Sequence, residues 1–116
     1  MPLEANIVYL DEELKNSRER RALMERFLKD NPAVSVYARS VHGNVYYYKK
    51  YWKNGKSVSE FLCRGDKEYK ARIKDIEAEN KKRGLVKAQL KSINMSIKAL
   101  QRQLRIAKKA HEIGGH

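Results

Sequence analysis

The spacing of apolar and polar positions changes three times along the chain, and each spacing predicts a different element. From Asp11-Glu12-Glu13 onward, Leu14, Ala22, Leu23, Met24, Phe27 and Leu28 supply an apolar face at helical intervals. Asp11 is a candidate N-cap, and acids follow it in the first turn, where the helix dipole favours them. Asn31-Pro32 ends this helix, because the residue before a proline is pushed out of the α region. The next segment, Val34 to Cys63, is rich in β-branched and aromatic residues and is punctuated by Gly43-Asn44 and Asn54-Gly55. Asn-Gly between two such runs is a strong hairpin signal, since both central residues of a type I′ turn need positive φ. An antiparallel three-stranded meander is therefore predicted, with strands near 34–41, 45–53 and 56–63.

After Gly65-Asp66 the spacing lengthens again. Tyr69, Ile73 and Ile76 step by 4 and 3, and Val86, Leu90, Ile93, Ile97, Leu100, Leu104 and Ala107 alternate steps of 4 and 3, a heptad seam. The two runs are out of phase: ten residues separate Ile76 from Val86, and Gly84 lies in the gap. Glycine costs about 1 kcal/mol against alanine in a helix interior, so a kink or break near Arg83-Gly84 is expected. Gly114-Gly115 is expected to close the helix. The apolar positions from Leu14 to Leu28 are too few to cover both sheet and seam. Leu90, Ile93, Ile97, Leu100 and Leu104 are accordingly expected at an interface, with a homodimer through the C-terminal helix as one form of it. The expected fold class is α+β: an N-terminal helix, a three-stranded antiparallel β-meander and a long basic C-terminal helix. It is read as a single domain overall, with residues 1–65 carrying helix and sheet and 66–116 the long helical segment.

Charge changes this picture from a fold to a partner class. The 116 residues hold 26 Lys and Arg against 14 Asp and Glu, a formal charge of +12. Residues 1–33 are near neutral at −1, whereas 34–65 carry +5 and 66–116 carry +8. Between 81 and 111 there are ten bases and no acid. Helices with balanced charge intersperse Glu with Lys for i,i+4 support; a stretch without acids repels itself and reads as a surface for a polyanion.

Turn chemistry divides the sheet into two faces. With Asn54 and Gly55 at the turn, Lys53 faces Lys56, Tyr51 faces Val58, Lys49 faces Glu60 and Tyr47 faces Leu62. With Gly43 and Asn44 at the first turn, Val36 faces Tyr51 and Ala38 faces Lys49. One face then holds Val34, Val36, Ala38, Val45, Tyr47, Tyr51, Val58 and Leu62 and is assigned to the core. The other holds Tyr37, Arg39, Tyr46, Tyr48, Lys50, Trp52, Ser57, Ser59 and Phe61. Bases interleaved with rings on an open sheet suit nucleic acid, because rings stack on bases and cations meet phosphates. The alternative is a second apolar layer, in which the N-terminal helix covers the rings while Arg39 and Lys50 snorkel past them. The nucleic-acid candidates on the sheet are Tyr37, Arg39, Tyr46, Tyr48, Lys50 and Trp52, with Lys53 and Lys56 at the turn. The long helix adds Lys91, Lys98, Arg102, Arg105 and Lys109, whose steps of 7, 4, 3 and 4 form a stripe opposite the apolar seam. Each of these that neutralises a phosphate releases counterions and makes affinity fall with salt.

Signals for catalysis are sparse. His42, His111 and His116 are scattered, and none pairs with a carboxylate at ligand spacing; there is no HExxH and no Gly-rich phosphate loop. The lone Cys63 permits neither an internal disulfide nor a cysteine-based zinc site. A neighbouring arginine lowers a thiol pKa, but a single cysteine after an apolar residue reads as packing. No catalytic residue, metal or cofactor is expected. No apolar run approaches the ~18 residues of a membrane span, and Met1-Pro2-Leu3-Glu4 lacks the basic and apolar regions of a secretory signal. The expected location is the cytoplasm of a bacterial host cell.

The run Gly43-Asn44-Val45-Tyr46-Tyr47-Tyr48, followed by Tyr51-Trp52-Lys53-Asn54-Gly55-Lys56-Ser57 and a charged helix, resembles small bacterial proteins of phages and other mobile elements. These carry a G-x-YYY…R/W-x-x-G-K hairpin before a long helix. More loosely, it is similar to the three-stranded arm-binding sheets of phage integrases. The likeness spans about residues 43–100. It implies a mobile-element context, in which a small basic protein binds DNA or RNA directly, or docks on a nucleoprotein nuclease as an inhibitor in the manner of anti-CRISPR proteins.

Overall fold

In the computed structural model, which describes residues 3–114, the order is α1 (Leu3–Asp30), β1 (Ser35–Val41), β2 (Asn44–Lys53), β3 (Lys56–Arg64) and α2 (Asp66–Gly114). The fold is α+β, as the spacing predicts. Met1, Pro2, Gly115 and His116 lie outside the described residues, and so does part of the expected Gly114-Gly115 closure.

Both helices depart from expectation, and in both polar residues occupy inward positions. The first helix begins at Leu3 rather than Asp11, which sits exposed inside it. Its inward seam runs Ile7, Leu10, Leu14, Ser17, Arg21, Met24 and Leu28, and Ser17 is 3% exposed. The second helix shows no break at Gly84. Asn80 and Arg83 fill the gap between Ile76 and Val86, and all four are half-buried. The seam therefore continues through a three-residue insertion, the kind of stammer that shifts phase without ending a helix. Hydrogen bonds repay the polar intruders. Asn80 Nδ2 donates to the Val34 carbonyl at 2.8 Å, the Val34 amide donates to Asn80 Oδ1 at 3.1 Å, and Arg83 Nε donates to the Asn31 carbonyl at 3.0 Å.

The chain forms two compact units, each drawing on both helices. One comprises the chain through Phe27 together with the chain from Lys87 onward; the other is Leu28–Val86.

The helical unit is an antiparallel pair. Its core is Leu10, Leu14, Ile93, Ile97, Leu104 and Ala107, flanked by Ile7, Met24, Leu90 and Leu100. His111 Nε2 approaches Glu4 Oε1 at 3.9 Å, which fixes the antiparallel sense. The seam expected at an interface is thus closed within the chain: Ile97 is 3% exposed and packs in one cluster with Leu10 and Leu14. Ile7 and Leu10, which precede the expected helix start, supply the cover that Leu14 to Leu28 alone lacked.

The sheet unit has strand order β1-β2-β3, antiparallel throughout. The second hairpin turns at Asn54 and Gly55, with φ of 52° and 76°. Lys53 pairs with Lys56, Tyr51 with Val58 and Lys49 with Glu60, as predicted. The first hairpin turns one residue earlier than expected, at His42 and Gly43, with φ of 51° and 80°. Glycine takes the second turn position, as in the Asn-Gly hairpin, and histidine tolerates the left-handed region better than most side chains. Val36 then pairs with Lys49 and Ala38 with Tyr47. Partners shift by two residues, so every side chain keeps its predicted face. A bulge between Tyr47 and Tyr48 leaves Leu62 as the extra residue of β3, and Tyr47 pairs with Cys63 rather than Leu62.

On the packed face, the Tyr47 ring stacks on Tyr69 of α2 at 4.0 Å between centroids, and its hydroxyl donates to Asp66. Among the described residues, no helix is long and apolar enough to cross a membrane.

Candidate nucleic-acid interface

The face opposite Tyr69 carries the predicted rings, and β2 organises them in cross-strand rows. In the first row Tyr46 is flanked by Arg39 on β1 and Arg64 on β3; in the second, Tyr48 lies between Tyr37 and Phe61; in the third, Lys50 lies between Ser35 and Ser59. Trp52 stands beyond them, opposite Ser57. Tyr37 stacks on Tyr48 at 5.4 Å with 17° between planes, Phe61 meets Tyr48 edge-on at 5.9 Å, and it tilts toward Tyr46 at 6.4 Å. The Tyr37 hydroxyl bonds to Ser59, and Arg64 lies over the Tyr46 ring at 5.6 Å while donating to Asn44 Oδ1 at 3.0 Å. Cross-strand contacts of this kind hold rings upright on a pleated surface.

This face is open. Trp52 is 64% exposed, Phe61 58% and Tyr37 41%, with Arg39, Lys50 and Arg64 also exposed. The alternative reading, in which a helix covers the rings, does not describe it. Five aromatic side chains with three bases around them offer stacking surfaces and cations together, and Tyr46, Tyr48, Lys50 and Trp52 recur every second residue along one strand. Neighbours on such a face stand ~6.8 Å apart, about twice the ~3.4 Å rise of a stacked nucleic-acid strand. The spacing suits bases drawn apart and laid on rings rather than a closed duplex.

Not every sequence candidate belongs to this face. Lys53 and Lys56, opposite each other beside the Asn54-Gly55 turn, share the parity of Tyr51 and Val58 and so lie on the packed side. Lys53 lines a cavity of about 680 Å³ there, in which Lys29, Lys49 and Lys53 are matched by Asp30, Asp75 and Glu79. Such balance gives an anion no preference. Lys49 is engaged by Glu60 at 3.3 Å, and Tyr51 donates to the same carboxylate at 2.6 Å. The tyrosine bond and then the lysine hold Glu60 below the usual carboxylate range. Conversely, sequence reasoning missed Arg64. By simple alternation the residue after Phe61 on the open face is Cys63; the bulge puts Arg64 there and turns Cys63 inward. Cys63 is 1% exposed, and burial pushes its thiol pKa up, the opposite of an activated nucleophile.

The helix set lies in the other unit. Lys91, Lys98, Arg102, Arg105 and Lys109 are all exposed and make no ion pair among the described residues. Their stripe faces away from Ile93, Ile97 and Leu104, as the heptad phase requires. Among the described residues no group of His, Cys, Asp and Glu could hold a metal ion. A scan against protein-family models, a search of curated proteins and a search of solved structures return no match, so the functional reading rests on the geometry of this site.

Proposed function

We propose that the chain is a non-enzymatic nucleic-acid-binding protein that lays unpaired bases on the rings of the open sheet face and holds the backbone with the bases around them. The observation that carries this reading is the exposure of Tyr37, Trp52 and Phe61 beside Tyr46 and Tyr48, on the same face as Arg39, Lys50 and Arg64. Large rings left in water on one sheet face, while Tyr47 and Cys63 pack inward on the other, mark a binding surface. A surplus of twelve positive charges favours a polyanionic ligand. The basic stripe of α2 adds a sequence-independent phosphate contact to the same class of ligand.

The test is a titration of labelled single-stranded and duplex oligonucleotides across a salt series. Single strands are expected to bind more tightly than duplex. Trp52→Ala and Tyr48→Ala should each lose ~1–3 kcal/mol of affinity if each ring stacks a base, and the circular dichroism of Trp52→Ala should stay unchanged. Three sheet cations predict a slope of log K against log salt of about −2 for a single strand held on the sheet face. Absence of binding at low salt, or equal affinity of the Trp52 variant, would overturn the reading.

A further inference from the structure

Once α1 has closed the apolar seam of α2, a second heptad pattern on α2 stays in water. From Gln89 to Ile113 the positions reached by steps of 3, 4, 3, 4, 3, 4 and 3 carry no charge, and all eight are exposed. They lie in a helix whose stretch from 81 to 111 holds ten bases. Every base falls outside the stripe. Ile106 is 63% exposed and Ile113 67%, unusual for isoleucine at regular intervals on a solvent face. The stripe borders the groove between the two helices. One depression, of about 360 Å³, takes in Asn6, Gln103, Ile106 and Ala110; another, of about 450 Å³, takes in Arg20, Gln89, Ser92 and Ser96.

We propose that a second copy of this chain docks here, stripe to stripe and antiparallel. Two features favour a copy over a foreign protein. First, an acidic partner would be drawn by bases placed within its footprint, whereas a copy bearing the same +12 requires a strip from which bases are excluded, and this strip excludes them all. Second, the stripe is self-complementary. With the twofold axis between Ala99 and Gln103, Gln89 meets Ile113, Ser92 meets Ala110, Ser96 meets Ile106 and Ala99 meets Gln103. Small residues oppose large ones in two of these four pairs, a third sets small against small, and each contact occurs twice. The strip spans 24 residue steps, about 36 Å of helix. The pairing turns two helical pairs into a four-helix layer, packed through a seam distinct from the one that α1 fills.

The experiment is sedimentation equilibrium of the full chain without nucleic acid, over a range of protein concentrations at low and high salt. Dimer is expected, growing with concentration and with salt as the repulsion is screened. Ile106→Lys and Gln103→Lys should each weaken dimerisation about tenfold or more, because each sets an unpaired ammonium against an uncharged residue of the copy; Ile106→Leu should not. Circular dichroism of these exposed-site variants verifies the monomer fold, and Gln103→Lys carries the test alone if Ile106→Lys misfolds. A monomer at every concentration and salt overturns the proposal, as does association undiminished by the lysine variants. Oligonucleotide is absent from every arm, so the outcome is independent of the sheet's ligand.

Discussion

Single residues in the sheet unit are set by their neighbours in ways that titration can read. The Tyr47 phenol donates to Asp66, and this bond, with partial burial, raises its pKa from 10 to about 12. An unfolded chain loses that proton near pH 10, whereas the folded chain keeps it. The stabilisation is therefore complete below pH 10 and is lost as pH rises through about 12. Ultraviolet titration should show Tyr47 ionising late, alongside Tyr51, whose pKa the bond to Glu60 also raises, and Asp66→Asn should bring Tyr47 alone back toward the ordinary value. Tyr47→Phe should flatten stability between pH 10 and 12 relative to wild type. Cys63 supplies an independent probe. Its buried thiol should react with an aromatic disulfide reagent only as fast as the sheet unit opens, and at the free-thiol rate in denaturant.

At the scale of elements, the sequence was legible wherever one strong local signal decided the geometry. Asn54-Gly55 fixed the second hairpin to the residue. His42-Gly43 was read one position late, because a histidine in the left-handed region is a weaker signal than an asparagine. The faces survived that slip because it moved partners by two. The start of α1 was hidden for want of a cap before Ile7, and the continuity of α2 by Asn80 and Arg83, whose inward positions are visible only once Val34 and Asn31 are in place. Two consequences are measurable. A Cβ built on Gly84 meets nothing within 4 Å, so Gly84→Ala should stabilise the chain by up to about 1 kcal/mol in denaturant titration. Ile97→Ala, at the centre of the helical core, should cost ~2–5 kcal/mol, with lost amide protection concentrated in residues 3–27 and 87–114.

For the whole molecule, charge is the dominant quantity. A chain at +12 stores self-repulsion, most of it in the sheet and α2. Its melting temperature should rise with added salt, and rise further, at equal ionic strength, with a polyanion that binds the folded state. A melting temperature indifferent to both would show that the bases are too well solvated to matter. The charge and the ring-bearing face were legible in the sequence. Which residues share that face was legible only in part, since Arg64 enters it through a bulge and Lys53 and Lys56 leave it by strand parity.

The bulge at Leu62 makes the length of β3 as consequential as its composition. Deleting Leu62 would restore plain alternation and leave every pair in place: Cys63 would still meet Tyr47, Phe61 would still meet Tyr48, and Arg64 would stay on the open side. Deleting Ser59 would restore the same alternation with the opposite result: Leu62 would enter the ladder, Glu60 would come opposite Lys50 on the open side, and Phe61 would turn under the sheet. A chain one codon shorter therefore keeps or loses its ring-bearing face according to which codon is missing.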